Sequence, residues 1–439
     1  MNRNKRLLLC GTAVLVFCVL ILPVSASAKT EIHWWHAMTG FLGEKVKEIV
    51  VKFNASQSDF EVNAVFKGNY TETLTAGIAA YRAKTQPHLL QVFEVGTQTM
   101  LSSGAIYPVY QMMKEQGIQI DWADFLSVVR SYYSKDGNLY SMPFNSSTAI
   151  LYYNRTIFKK AGLDPTKAPT TYDQIEKAAK ACVASGATKI GFTTAWPSWT
   201  LVENAHAWHD QPFADQDNGF KGMATRLRIN GEFGVKLWTL LTRWQKEGIY
   251  TYAGRGNKGD QPIINGEAAI GLASTALVGT LTKTAKFDWG TGNLPRLSGF
   301  PQGNSIIGGA SLWVMKGRKT DEYKGVAKFL EFLGKPEQQA WWHATTGYLP
   351  VSKSALKSLQ GTDHFQRNPD MWTAFNQIMS GKTTANSQGI RLGNFAALRD
   401  NIEVEMENVV AGKKSPKQGL DDAAKKGGEI LKEFASLYR

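Results

Sequence analysis

Apolar residues follow two spacings in turn along most of this chain. Residues 46–53 carry apolar side chains at positions i, i+3, i+4 and i+7, which predicts an amphipathic helix. Residues 60–66 place them at every second position, as in a strand. Strands are also predicted at 31–35 and 89–95, and a helix at about 71–83. This alternating order predicts a mostly parallel sheet with right-handed crossovers.

A second unit with the same alternation begins after Pro143. Its predicted strands are residues 149–153, 189–193 and 268–272. Thr171 is predicted to cap the helix that follows it. A long apolar strand at 306–315, interrupted by two glycines, leads into a part whose spacing is almost entirely helical from Asp321 onward. The chain is therefore predicted to have an α/β fold with two lobes.

Small polar stretches at 143–147 and 305–309 are the candidate boundaries, and two of them indicate that the chain returns to its first lobe. The predicted limits are a first lobe over 29–146, a second over 147–306, a return to the first over 307–360, and the second lobe with the C-terminal helices over 361–439. Ligands bind beyond the carboxyl ends of strands in such sheets, so two facing lobes predict a cleft that a hinge can close.

The first 28 residues have the three parts of a secretory signal peptide. Basic residues lie within 3–6, an apolar run covers 7–22, and the small residues 26–28 form a cleavage site. We therefore expect residues 1–28 to be removed on export. A membrane anchor is the alternative, although the run is short for a membrane span.

Charge and cysteine content narrow the function classes. The 439 residues include 50 Lys and Arg against 37 Asp and Glu, a net charge of +13 that is spread along the chain. No motif for nucleic acid accompanies it, so no nucleic-acid partner is expected. Cys10 and Cys18 belong to the signal peptide, which leaves Cys182 alone and excludes an intrachain disulfide.

The chain has no motif of nucleotide, zinc or nucleophilic catalysis. His33 and His36 would point to opposite faces of a strand, and His206 and His209 would share a helix face without a third ligand. We therefore expect no catalytic residue, no metal and no cofactor. An exported two-lobed chain of this kind is predicted to capture a solute.

A set of motifs spread over the chain carries a resemblance to a known family. The motifs are residues 67–70, 76–80, 91–97, 143–147, 151–154, 160–165, 306–315, 346–350 and 391–394. With them the chain resembles the periplasmic sn-glycerol-3-phosphate-binding proteins of bacterial ABC importers, which belong with the maltose-binding proteins. The resemblance implies the two-lobed periplasmic-binding-protein fold, in which each lobe is a mixed sheet flanked by helices and the ligand lies between the lobes.

The resemblance also implies a set of ligand-binding residues. By position in the motifs these are Tyr70, Glu94, Ser147, Ser274, Gly309, Tyr348 and Arg399, with Trp196 and Trp199 flanking the glycerol. Arg399 is expected to pair with the phosphate, and Glu94 to accept from glycerol hydroxyls at the opposite end. Pro197 departs from the family pattern between the two tryptophans, so the placement of their rings is expected to differ.

The implied function is capture of sn-glycerol 3-phosphate, with glycerophosphodiesters as additional candidate ligands. A monomeric protein would deliver the ligand in the periplasm to a permease with two transmembrane subunits and an ATPase. Two alternatives stay open at this point. One is an oligosaccharide- or polyol-binding protein of the same fold, and the other is a secreted glycerophosphodiester hydrolase.

Overall fold

The computed structural model of the protein describes residues 29–438, so the predicted signal peptide lies outside the described residues. The strands within this range are β1 (Thr30–His36), β2 (Phe60–Phe66), β3 (Leu89–Phe93), β4 (Ile106–Tyr107), β5 (Ser134–Lys135), β6 (Asn138–Leu139), β7 (Met142–Asn154), β8 (Ile190–Thr194), β9 (Tyr250–Thr251), β10 (Ala268–Ser274), β11 (Trp289–Gly292) and β12 (Ile307–Met315).

Helices surround these strands, and they dominate the last third of the chain. The first ten are α1 (Gly40–Ser56), α2 (Tyr70–Arg82), α3 (Thr97–Ser102), α4 (Val109–Glu115), α5 (Ser127–Tyr133), α6 (Arg155–Lys160), α7 (Tyr172–Ala184), α8 (Asn204–Trp208), α9 (Asp215–Gly219) and α10 (Glu232–Lys246). The others are α11 (Asp260–Ile264), α12 (Leu277–Thr284), α13 (Thr320–Gly334), α14 (Pro336–Thr346), α15 (Lys353–Gln360), α16 (His364–Arg367), α17 (Trp372–Ser380), α18 (Phe395–Val410) and α19 (Pro416–Leu437). None of the helices in the described part is long and apolar enough to cross a membrane.

Ten of the strands form one mixed sheet in which β7 is shared by two halves. The main order is β2-β1-β3-β12-β7-β10-β8-β9, with β4 on β12 and β11 on β7. β1 is parallel to β2 and β3, and β10 is parallel to β8, as the strand–helix alternation predicts. β12 pairs with the first part of β7 up to Thr148, whereas β10 pairs with its second part from Ala149. We call the β1–β3 side the first half and the β8–β10 side the second half.

Most of the predicted elements are confirmed, with one instructive difference. Thr171 caps α7 by accepting from the Gln174 amide at 3.1 Å, and the apolar stripe of 46–53 is the buried face of α1. The polar stretch 143–147, however, does not flank a strand that begins at 149. It lies inside β7, where every residue is buried, because β12 pairs along it and the Leu349 amide donates to the Ser146 carbonyl, so that backbone groups of this segment find partners.

Two hydrophobic cores cover the two faces of this sheet. Successive residues of β7 alternate between them, with Leu151 and Tyr153 in one core and Ile150 and Tyr152 in the other. The first core also contains Cys182 of α7, which is fully buried. Each core extends through both halves of the sheet.

Candidate functional site

A cleft lies where the carboxyl ends of the parallel strands of both halves meet. Its volume is about 360 Å³, and all nine predicted site residues line it. β1 and β3 lead into it from the first half, and β8 and β10 from the second. This is the position at which open α/β sheets bind ligands.

Tyr70 is held rigidly at the cleft by its own helix and by its neighbours. It begins α2, whose start is fixed by reciprocal hydrogen bonds between Asn69 and Glu72. The Tyr70 ring stacks on Phe93 with a centroid distance of 5.3 Å. The Tyr70 hydroxyl accepts from Asn145 Nδ2 at 2.8 Å.

A group of polar donors collects over the middle of β7. Gly308 of β12 is in register with Ser147, and Ser274 of β10 is in register with Ala149. Tyr348 reaches the same place because the Leu349 amide donates to the Ser146 carbonyl at 2.8 Å. The residues brought together there are Ser147, Ser274, Gly309, Tyr348 and Tyr70, and we refer to them as the hydroxyl cluster.

The hydroxyl cluster combines phenols that stay protonated with a backbone that comes unusually close to its neighbour. Burial raises the pKa of both Tyr70 and Tyr348 above the usual value of 10.0, so both phenols stay protonated at neutral pH. Gly309 has φ +86°, and a Cβ atom there would lie 1.8 Å from the Asn145 carbonyl oxygen. Only glycine allows this close approach of the backbone.

The two tryptophans are placed by unusual backbone. Trp199 begins a π-helical turn, Trp199–Glu203, and its ring fills the space that the missing side chain of Gly308 leaves open. Trp196 has φ +51° directly before Pro197, a conformation that is rare for an aromatic residue. Its amide donates to the Gly256 carbonyl at 2.6 Å.

Arg399 of α18 is already paired with two carboxylates across the cleft. Its Nε and Nη2 atoms donate to the two Glu203 oxygens, each at 2.7 Å, and Nη2 also donates to Glu94 Oε1 at 2.5 Å. Glu94 follows β3 in the first half, and Glu203 follows β8 in the second. The expectation that Glu94 lies at the opposite end of the ligand from Arg399 is therefore wrong.

Arg399, Glu94 and Glu203 form a group that we call the Arg399 triad. Burial and charge act in opposite directions on the pKa values of its members Arg399 and Glu94. The Glu94 and Glu203 side chains are 8% and 1% exposed. Burial raises the pKa of Glu94, against the opposing effect of Arg399. Burial lowers the pKa of Arg399, but the charges of Glu203 and Glu94 outweigh it and the pKa is raised. Two carboxylates against one guanidinium leave the ionised triad with a net negative charge.

Glu203 and Asp260 are two acidic residues of the site that the sequence analysis did not identify. Glu203 accepts from Ser198 Oγ at 3.1 Å, and its position inside an apolar run was the available signal, because an acid in a buried run is costly. Asp260 begins α11 and lines the cleft. No signal in the sequence distinguishes it from an ordinary acidic residue at a helix start.

The His206 and His209 rings bind to backbone groups within the fold. His206 and His209 face the Val202 and Ala205 carbonyls through Nδ1, each at 2.7 Å. His209 Nε2 also accepts from the Leu297 amide at 2.7 Å. No group of three or more metal-ligating side chains occurs between residues 29 and 438.

Glu403, one helical turn beyond Arg399, makes stability depend on pH. Burial raises its pKa from 4.5 to about 7. The folded state therefore binds this proton more tightly than the unfolded state, and stability falls as pH rises from 4.5 towards 7. We expect E403Q to raise Tm by about 2–4 °C more at pH 7.5 than at pH 5 in thermal unfolding. The control is E429Q at an exposed acid, which should change Tm by the same amount at pH 5 and at pH 7.5. If E403Q also changes Tm equally at the two pH values, the raised pKa of Glu403 is contradicted.

The chain is similar to known proteins over most of its length. The family described as bacterial extracellular solute-binding protein matches residues 48–373. The sn-glycerol-3-phosphate-binding periplasmic protein UgpB of Escherichia coli K12 is 43% identical over 420 residues, covering 94% of this chain and 95% of that protein.

Solved structures share the fold at lower identity. UgpB from Mycobacterium tuberculosis in complex with glycerophosphocholine superposes with a TM-score of 0.79 at 20% identity, covering 92% of this chain and 99% of that one. Maltose-bound MalE3 of T. maritima gives a TM-score of 0.76 at 17% identity, covering 91% and 100%. The predicted two-lobed fold is thereby confirmed.

Proposed function

Since the chain belongs to the bacterial extracellular solute-binding proteins, we propose that it captures sn-glycerol 3-phosphate in the cleft and delivers it to an ABC importer. The family consists of transport components, so the chain is a binding protein and not an enzyme. The observation that carries the proposed ligand is the convergence of all nine predicted residues on one cleft. The E. coli relative is named for this ligand.

The phosphate is assigned to the hydroxyl cluster. Phosphate oxygens need several fixed donors, because burying an unpaired anion is very costly. Tyr70, Tyr348, Ser147 and Ser274 supply hydroxyl donors, and the glycine backbone at Gly309 allows close approach. These donors are neutral, so the site replaces the hydration shell of the phosphate without a fully available cation.

The glycerol is assigned to the Arg399 triad and the tryptophans. The Glu94 carboxylate accepts from glycerol hydroxyls, while the remaining N–H groups of Arg399 donate to them. Trp196 and Trp199 offer flat apolar faces to the carbon chain. Because Glu94 and Glu203 come from different halves, the same arginine joins both sides of the cleft when it binds them.

The partner and the location follow from the same premise. We infer that residues 1–28 direct export to the periplasm, where the mature monomer meets a permease of two transmembrane subunits and its ATPase. The lobe limits of 29–146 with 307–360, and 147–306 with 361–439, remain part of the proposal. The proposed limit between residues 146 and 147 falls inside β7.

Isothermal titration of residues 29–439 with sn-glycerol 3-phosphate tests the proposed ligand. We expect saturable binding at about micromolar Kd, which corresponds to about −8 kcal/mol. Maltose is the control. It should give no heat of binding, because it carries no phosphate group to accept from the hydroxyl cluster. Binding of maltose without binding of sn-glycerol 3-phosphate would reject the ligand and keep the fold.

A further inference from the structure

The cleft extends beyond the nine predicted residues and has an acidic end. Asp260 lies there with Asn257, Gln261 and Ile264. Among the described residues that line the cleft, the charged ones are Glu94, Asp260 and Arg399. Arg399 is bound by Glu94 and Glu203. Asp260 is therefore the charged residue of the lining that is not paired with Arg399, and when ionised it adds to the negative charge of the triad.

Within the described part of the chain, no group compensates the buried Asp260 carboxyl. Its Oδ1 atom is buried, and no hydrogen-bond partner for it occurs within residues 29–438. Burial alone raises its pKa to about 7, with neither a hydrogen bond nor a nearby cation opposing that effect. A structural acid at a helix start would accept from backbone N–H groups. An unsatisfied buried acceptor is costly, so it points to a ligand that donates to it.

The segment that leads into Asp260 is held against the segment that carries Trp196, and both residues line the cleft. Gly259 packs so closely on β8 that a Cβ atom would lie 2.1 Å from the Thr194 carbonyl oxygen. The Trp196 amide donates to the Gly256 carbonyl of the same loop, and both residues have positive φ, +51° and +58°. The strain lies at Trp196, because glycine adopts a positive φ without cost, and strained backbone persists where the surrounding structure requires it, often at ligand sites.

We propose that Asp260 and Trp196 form a subsite for a protonated primary amine carried by the ligand. The ammonium N–H groups donate to the carboxylate, and the positive charge lies against the indole face. A quaternary ammonium has no N–H group and leaves the acceptor unsatisfied. The subsite thus selects zwitterionic phosphodiesters that carry a primary amine. This inference rests on the proposed function and names its ligand more closely.

Titration calorimetry with four ligands at about pH 8 tests the subsite. The ligands are sn-glycerol 3-phosphate, glycerophosphoglycerol, glycerophosphocholine and glycerophosphoethanolamine. We expect glycerophosphoethanolamine to bind at least about tenfold more tightly than glycerophosphoglycerol, and more tightly than glycerophosphocholine. In D260N the ratio of these Kd values should fall to about one. The matched control E267Q, at an exposed acid just after the same helix, should keep the wild-type ratio.

The outcomes separate this subsite from the proposed function. Equal Kd values for the ethanolamine and glycerol diesters, or an unchanged ratio in D260N, would overturn the subsite while binding of sn-glycerol 3-phosphate still supports the function. Failure of all four ligands to bind would overturn both. If D260N does not fold, the wild-type ranking of the four ligands decides.

Discussion

Replacing Arg399 with alanine should weaken the binding of sn-glycerol 3-phosphate by at least about 30-fold, which is about 2 kcal/mol or more. The variant leaves Glu94 and Glu203 buried without their counter-ion, and removing one partner of such a group costs about 3–5 kcal/mol. Titration calorimetry measures the affinity, and urea unfolding measures the stability.

R255A is the matched control, because Arg255 also binds two carboxylates but is 33% exposed. An exposed pair contributes about 0–1 kcal/mol, so its loss should change neither quantity much. The double variant R399A/E203Q should regain part of the lost stability, because it removes one uncompensated charge. Wild-type affinity in R399A would show that the triad is not part of the binding site.

Replacing Gly309 with alanine should destabilise the protein by about 3 kcal/mol or more. The added Cβ would overlap the Asn145 carbonyl oxygen at 1.8 Å, and the residue would also have to keep φ +86°. Separation of β12 from β7 would relieve the overlap, and that separation moves the hydroxyl cluster apart. We therefore expect urea unfolding at a lower midpoint and a loss of binding in calorimetry.

G162A is the control that separates the cost of a positive φ from the cost of the close approach between strands. Gly162 has φ +73°, but a Cβ atom there meets nothing within 4 Å. Its cost should be that of the left-handed conformation alone, about 1–2 kcal/mol, with unchanged affinity. If G309A loses no more stability than G162A, the close approach of β12 and β7 at Gly309 does not contribute to stability.

The elements of the fold could be predicted from the sequence because each has a local cause. The apolar spacing of α1 and the Thr171 cap of α7 are read directly from neighbouring residues. The length of β7 could not be read in this way. Its polar segment 143–147 is stabilised by β12, a strand that is far away in sequence, and such pairing has no local signature.

The site shows the same division between local and distant causes. The family motifs predicted nine residues that all line one cleft. They could not show that Arg399 binds Glu94, because residues 305 positions apart meet only through the folded sheet. Asp260 was missed for the opposite reason, since its significance lies in the partners that it lacks.

The shared strand β7 makes the two halves one cooperative unit. Its alternating side chains belong to both cores, and each core passes from one half into the other. A fragment containing a single half would expose the cut edge of both cores to water and would lose the burial that stabilises it. Any motion that closes the cleft would consequently have to leave β7 packed on both faces.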